Sequence, residues 1–162
     1  METQATGSGC LIFAAACCVA LGVLHFGPRR QFNLGGCGPR ALHAVAIRMG
    51  GRQTEAETLA QFPNNGFEVT LGQLEQVAPT LGLQAHARQM NIADLCRDRP
   101  LGVLHVDDAH FIAVVGYDVE TVLVVDPLYR GDARPARWYY DDLKVRWDGA
   151  ILVVTKHRRQ RC

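Results

Sequence analysis

The stretch QFNLGGCGPRALHAVAIRMGG, residues 31–51, decides how the rest of the chain is interpreted. It places Cys37 between short glycine runs, directly before apolar side chains at helical spacing: Ala41, Leu42, Val45, Ala46 and Met49. Cys37 is therefore expected at or just before a helix N-terminus, where the positive end of the helix dipole favours a thiolate. Four roles are open to such a cysteine: a small core residue, a metal ligand, half of a disulfide, or a nucleophile.

Composition indicates one compact globular domain with a single appendage. The 162 residues are 48% hydrophobic and 20% charged, with a formal net charge of +1. This balance argues against disorder, and no overall positive field recruits nucleic acid, so no nucleic-acid partner is expected. The basic segment KHRRQRC, residues 156–162, is interpreted as a solvated tail.

An apolar segment precedes the soluble part of the chain. Residues 10–26, CLIFAAACCVALGVLHF, contain no Asp, Glu, Lys or Arg. Their length of 17 residues is at the short limit for a membrane-spanning helix, which needs about 20. We predict an uncleaved membrane anchor here, within an N-terminal segment of residues 1–28; a cleaved secretory signal is the alternative, but the leading residues lack its usual Lys or Arg. Arg29 and Arg30 follow the segment, which favours a cytoplasmic position for the domain after it.

The six cysteines do not form a disulfide framework in the sequence pattern. Three lie in the apolar segment and one is the last residue, which leaves Cys37 and Cys96 in the soluble part. No C-x-x-C or H-x-x-x-H pair is present, so no zinc site, other metal site or cofactor is expected. Cys37 is then either a core residue or a nucleophile.

Helical patterns come first after Cys37 and strand patterns follow. Beyond the Cys37 helix, helical segments are predicted at 54–62, 70–81 and 91–96, with Thr54 and Glu57 at capping-box spacing. Strands are predicted at 83–88, 100–106, 110–118, 121–127 and 149–156, and a short helix within 136–147. The expected fold is α+β, a helical half packed on an antiparallel sheet with a cleft between them, over residues 29–155.

A cysteine nucleophile needs a base and a third group that orients the base. Among the six histidines, His110 begins a strand directly after a turn, and Asp126 ends the next strand. If these strands form a hairpin, the start of one lies beside the end of the other. The topology therefore predicts that His110 and Asp126 are neighbours. His43 is six residues from Cys37 and lies on roughly the opposite helix face.

Five blocks occur in an order and spacing that resemble a known family. The first is Gln31, five residues and CGPRALHAVAIRMGG; the others are GFEVTLGQLEQVAPTLGLQAHA, LGVLHVDDAHFIAVVGYD, VLVVDP and WDGAILVV. They resemble the peptidase C39 family, papain-like cysteine proteases best known as the N-terminal domains of bacteriocin-processing ABC exporters. The resemblance runs from about residue 31 to residue 154.

The resemblance implies a role for each matching residue. Cys37 matches the nucleophile, His110 the general base and acid, and Asp126 the group that orients the imidazole. Gln31 matches the glutamine that donates into the oxyanion hole. The implied activity is hydrolysis of a peptide with small residues at the cleavage site, after a Gly-Gly pair in exporter-type members, with a separate ABC exporter as partner.

Two departures from the family pattern leave alternatives open. Gly36 stands where the family usually has an acidic residue, and the chain has no Gly-x-x-x-x-Gly-Lys phosphate loop, so we expect no ATP binding.

The alternative function is a non-catalytic C39-like docking module, against which the presence of Cys37, His110 and Asp126 argues. A related thiol hydrolase or transferase on the same scaffold is a further alternative.

Overall fold

The computed structural model describes residues 35–129 and 134–156. The chain divides into two units, residues 1–30 and 31–162, and all the described residues belong to the second. The predicted anchor at 10–26, Gln31 and the tail beyond Lys156 lie outside the described residues. Within the described ranges, no helix is both long enough and apolar enough to cross a membrane.

The helices follow the sequence prediction closely. They are α1 (Cys37–Arg48), α2 (Glu55–Leu59), α3 (Leu71–Val77), α4 (Ile92–Asp98) and α5 (Tyr140–Arg146). Cys37 is the first residue of α1, as predicted. The predicted capping box of α2 is also present, since Thr54 N–H donates to Glu57 Oε2 over 2.7 Å and Glu57 N–H donates to Thr54 Oγ1 over 3.2 Å.

The described residues form an antiparallel six-stranded sheet. Its strands are β1 (Leu83–Gln89), β2 (Gly102–Val106), β3 (His110–Tyr117), β4 (Thr121–Val125), β5 (Ala136–Tyr139) and β6 (Trp147–Lys156). The strand order is β1-β6-β2-β3-β4-β5, and every neighbouring pair is antiparallel. The predicted meander β2-β3-β4 is thus confirmed, and β6, the last strand of the described residues, lies between β1 and β2.

Helices cover both faces of the sheet. On one face, α1 and α3 pack on the strands through fully buried side chains such as Leu42 and Leu74. On the other face, α4 and α5 contribute Leu95 and Leu143, which are also fully buried. The predicted packing of a helical half on an antiparallel sheet is confirmed for the first face, and the short helices close the second.

Two predicted segments differ in detail from the structure. The helix expected over 70–81 ends as an α-helix at Val77 and continues as a 3-10 turn, Ala78–Leu81, because Pro79 has no N–H to continue the α-helical pattern. The segment 136–147 holds the predicted helix, α5, but only after the unpredicted strand β5. Pairing with β4, a long-range contact, makes this short and mostly exposed segment a strand.

Candidate active site

The residues just before Cys37 hold the start of α1 in a fixed place. Gly36 has φ +82°, donates its N–H to Gly66 O over 3.1 Å, and accepts from Arg40 N–H over 3.0 Å. A Cβ at Gly36 would lie 3.0 Å from Leu59 Cδ2. An acidic residue at this position would therefore be both strained and crowded, which gives a physical reason for the departure from the family pattern.

The predicted pair of His110 and Asp126 meets at one end of the β3–β4 hairpin. His110 Nε2–H donates to Asp126 Oδ1 over 2.8 Å, and the two side chains are only 9% and 7% exposed. Asp126 Oδ1 also accepts from Leu128 N–H over 2.9 Å, which fixes the carboxylate. The other ring nitrogen, Nδ1, is buried and has no hydrogen-bonding nitrogen or oxygen partner in the described part of the chain.

Cys37 and His110 are close enough to change each other's ionisation. Burial raises the pKa of the Cys37 thiol, but the hydrogen bond with His110, backbone hydrogen bonds from Phe111 and Gly38, and the His110 charge together hold that pKa below its ordinary value. Burial lowers the pKa of His110, but hydrogen bonds and charges from Asp126 and Cys37 raise it by more, so that the pKa of His110 is raised to about 9. Both shifts favour the thiolate–imidazolium form of the pair over the neutral form.

The family assignment follows from the sequence as a whole. Residues 26–159 match the peptidase C39 family. The chain belongs to the peptidase C39 family. A relative is an uncharacterized protein of Methanothermobacter marburgensis, which is 31% identical over 127 residues, 78% of this chain and 87% of that protein.

Solved structures of C39 peptidase domains share the fold. One is the double glycine motif protease from an AMS/PCAT transporter, in complex with the leader peptide: TM-score 0.61, 16% identity, 74% of this chain and 84% of that one. Another is the peptidase domain of Streptococcus ComA, a bifunctional ABC transporter: TM-score 0.61, 18% identity, 78% of this chain and 95% of that one. The α+β fold of this C39 chain is thus that of exporter peptidase domains.

The other described histidines of the C39 chain have partners of their own. His43 Nδ1 lies 3.2 Å from Thr58 Oγ1, and burial lowers the His43 pKa. His86 is exposed and lies 3.3 Å from Glu75 Oε1. His105 Nδ1 lies 2.7 Å from Asp148 Oδ2. None of the three replaces His110 beside Cys37.

The ring of Phe67 lies on the chain two residues before the nucleophile, and the sequence did not predict this. Its ring packs on the backbone of Gly35, where an added Cβ would lie 2.1 Å from the ring carbon Cζ. Phe67 nevertheless remains 54% exposed. An exposed aromatic residue in a loop has no periodic pattern in the sequence. The place of Phe67 depends on the long-range hydrogen bond that brings its neighbour Gly66 to Gly36, and the sequence does not reveal that bond.

The structure brings together three of the four predicted site residues. Cys37, His110 and Asp126 converge, whereas Gln31 lies outside the described residues. Cys37 and Cys96 are both free thiols. Among residues 35–129 and 134–156, no group of three or more His, Cys, Asp or Glu side chains is arranged to hold a metal ion. The catalytic roles of the three residues remain predictions.

Proposed function

We propose that this protein is a cysteine endopeptidase that uses Cys37, His110 and Asp126. The observation that carries the proposal is the buried bond of 2.8 Å between His110 Nε2 and Asp126 Oδ1, because it leaves Nδ1 for the thiol at the start of α1. The Cys37 thiolate attacks the peptide carbonyl carbon, and a C–S bond forms. His110 then protonates the leaving amine as the C–N bond breaks, and water hydrolyses the resulting thioester.

The developing negative charge on the carbonyl oxygen needs hydrogen-bond donors. The backbone N–H of Cys37, at the first position of α1, has no partner within its own helix and is one candidate. The Gln31 side-chain amide, implied by the family resemblance, is the second. One preorganised donor of this kind is typically worth about 3 kcal/mol of transition-state stabilisation.

The proposed substrate is a leader peptide with glycine or another small residue at the cleavage site. The structure solved with a leader peptide belongs to a double glycine motif protease of the same fold, which supports this class. Phe67 supports it further, since its exposed ring occupies space at Gly35, two residues before Cys37, and would leave less room there for large substrate side chains.

The proposed partner is a separate ABC exporter. The structures that share this fold include peptidase domains of such transporters, which supports an association with export. We also propose, from the sequence, that residues 10–26 anchor the chain and that the peptidase faces the cytoplasm. Retention of the full chain in membranes after alkaline extraction, with release when residues 1–28 are deleted, tests this anchor.

The peptidase is tested with residues 28–162 and a panel of Gly-Gly leader peptides. Products are identified by mass spectrometry, beside matched peptides in which both glycines are replaced by leucine. The proposal expects cleavage after Gly-Gly by the natural sequence, and none by Cys37→Ala or His110→Ala. Asp126→Asn should lower kcat by roughly 10³- to 10⁴-fold, because the imidazole loses its orienting carboxylate.

Two results would redirect the assignment. Binding of leader peptides that Cys37→Ala leaves unchanged, with no cleavage by any variant, would favour the non-catalytic docking module. Turnover of thioesters or activated amides without any peptide cleavage would favour another thiol hydrolase or transferase on this scaffold.

A further inference from the structure

The turn that leads into His110 has an unusual backbone. Asp107 and Asp108 connect β2 to β3 and have φ +51° and +62°. Both therefore lie in the left-handed region, which Asp tolerates better than most residues. Ala109 N–H donates to Asp107 O over 2.8 Å and closes the turn one residue before His110. The position of His110 thus depends on how this turn is held.

Arg146, the last residue of α5, holds both the backbone and the side chain of Asp107. Its carbonyl oxygen accepts from Asp107 N–H over 2.9 Å. Its Nε–H donates to Asp107 Oδ1 over 3.0 Å, and its Nη2 donates to Oδ2. The two residues are 39 positions apart in the chain. Two parallel charge-assisted hydrogen bonds fix both the orientation of the carboxylate relative to the guanidinium and the distance between them.

The same guanidinium also contacts β5. Its Cζ lies 4.1 Å from the centre of the Trp138 ring on β5, a cation–π contact. The hydrogen bonds that Arg146 donates to Asp107 are the largest cause that raises the pKa of Arg146, and the negative charge of Asp126 also raises it. Arg146 therefore connects β5 to the turn before His110.

We propose that Asp107 and Arg146 are positioning residues for His110 in the proposed peptidase reaction. Their ion pair fixes the turn from which His110 emerges, and the negative charge of Asp107 and the positive charge of the imidazolium attract each other across that turn. Cys37 on α1 and Asp126 after β4 raise the pKa of His110, and the charge of His110 in turn lowers the pKa of Asp107 on the adjoining turn. Asp107 acts through His110 and does not touch the reacting atoms.

Because the Asp107–Arg146 ion pair is exposed, it should contribute little to the stability of the protein. The side chains of Arg146 and Asp107 are 42% and 40% exposed, and exposed ion pairs contribute only about 0–1 kcal/mol to stability. Substitution of either residue should therefore leave the protein folded. Arg137 is a matched control on the neighbouring strand, because it forms an ion pair with Asp118 over 2.7 Å that leaves the catalytic residues untouched.

The test compares Asp107→Asn, Arg146→Met, Arg146→Lys and the control Arg137→Met. Asparagine tolerates the left-handed backbone and keeps the size of Asp107 while it removes the charge. The first readout is kcat and KM on a leader peptide. The second is the rate of alkylation of Cys37 by iodoacetamide against pH, measured on the tryptic peptide 31–40, in which Cys37 is the one cysteine. The second readout needs no turnover and so does not depend on the proposed function.

We expect Asp107→Asn and Arg146→Met to lower kcat roughly tenfold with KM unchanged, since a misplacement of about 1 Å can cost up to about 100-fold. Arg146→Lys should recover part of the loss, and Arg137→Met should behave as the natural sequence does. The alkaline step is the change in the rate of Cys37 alkylation that occurs as His110 loses its proton. In Asp107→Asn this step should move to lower pH, because His110 loses a negative neighbour and its pKa falls.

Several results would overturn the inference. These are an unmoved alkaline step in Asp107→Asn, an equal loss of kcat in Arg137→Met, or a loss of kcat that follows a fall in melting temperature. If the natural sequence cleaves no peptide, the alkylation step alone decides. A shifted step then supports the positioning role while the peptidase proposal fails, and an unmoved step removes the positioning role.

Discussion

His110 is the residue on which the proposed chemistry depends. It is among the few polar residues that are buried in the described part of the chain, and the residue as a whole is 7% exposed. One ring nitrogen is held by Asp126, and the other is free for Cys37. This arrangement lets the imidazole carry a proton between the thiol and the leaving amine without a change of position.

The rate of peptide cleavage should show a bell-shaped dependence on pH. On the acid side it falls when the Cys37 thiolate gains a proton, at a pH below the ordinary pKa of a thiol. On the alkaline side it falls as His110 loses its proton, near its raised pKa of about 9, because the leaving amine is then no longer protonated.

The measurement is kcat/KM across both limbs, with His86→Gln as the control. His86 is an exposed histidine with its own carboxylate partner, so its removal should leave the profile unchanged. A flat profile through neutral and alkaline pH would count against the thiolate–imidazolium pair.

At the scale of the elements, the start of α1 sets the position of the nucleophile. The left-handed Gly36 and its bond to Gly66 turn the chain directly into the helix at Cys37. The dipole of a twelve-residue helix then favours the thiolate at its N-terminus. The local sequence and the loop at residues 63–69 together produce this geometry.

Gly36→Asp should destabilise the protein even though the family usually has an acidic residue there. The left-handed backbone and the contact with Leu59 should together lower the free energy of unfolding by about 1–3 kcal/mol. Gly82→Asp is the matched control, because Gly82 has φ +72° with nothing within 4 Å of an added Cβ. Urea unfolding of both variants separates crowding from backbone strain, and an equal loss in the two would remove crowding as a cause.

The elements that the sequence predicted are those with local signals. α1 has a periodic apolar stripe, and the β3–β4 hairpin joins strands that are adjacent in the chain. β5 and the place of β6 between β1 and β2 depend on pairing across long distances in sequence. The contact of Asp107 with Arg146 is of the same kind, so its role beside His110 could not be predicted.

At the scale of the whole molecule, β6 joins the two halves of the sheet. It pairs with β1 on one side and β2 on the other, and its Ile151 and Leu152 are fully buried on opposite faces. β6 therefore holds the two halves of the described sheet together. We propose that residues 29–155 form the peptidase domain and that residues 156–162 are a dispensable tail.

Truncation tests this division of the chain. A protein that ends at Arg146 lacks β6 and should show no cooperative unfolding, because both cores lose buried side chains and two ladders of hydrogen bonds. A protein that ends at Lys156 should unfold like the full chain. Near-ultraviolet circular dichroism during urea unfolding measures both, and a cooperative transition in the shorter protein would refute the central role of β6.

The central claim, that Cys37 attacks the carbonyl group of a Gly-Gly peptide, is tested most directly by covalent labelling. A leader peptide that ends in a Gly-Gly chloromethyl ketone should alkylate Cys37, with chloride as the leaving group, and the adduct should be found on the tryptic peptide 31–40. We expect rapid labelling of the natural sequence, much slower labelling of His110→Ala, and none at position 37 of Cys37→Ala. Labelling of Cys96 at the same rate as Cys37, or labelling that His110→Ala does not slow, would contradict it.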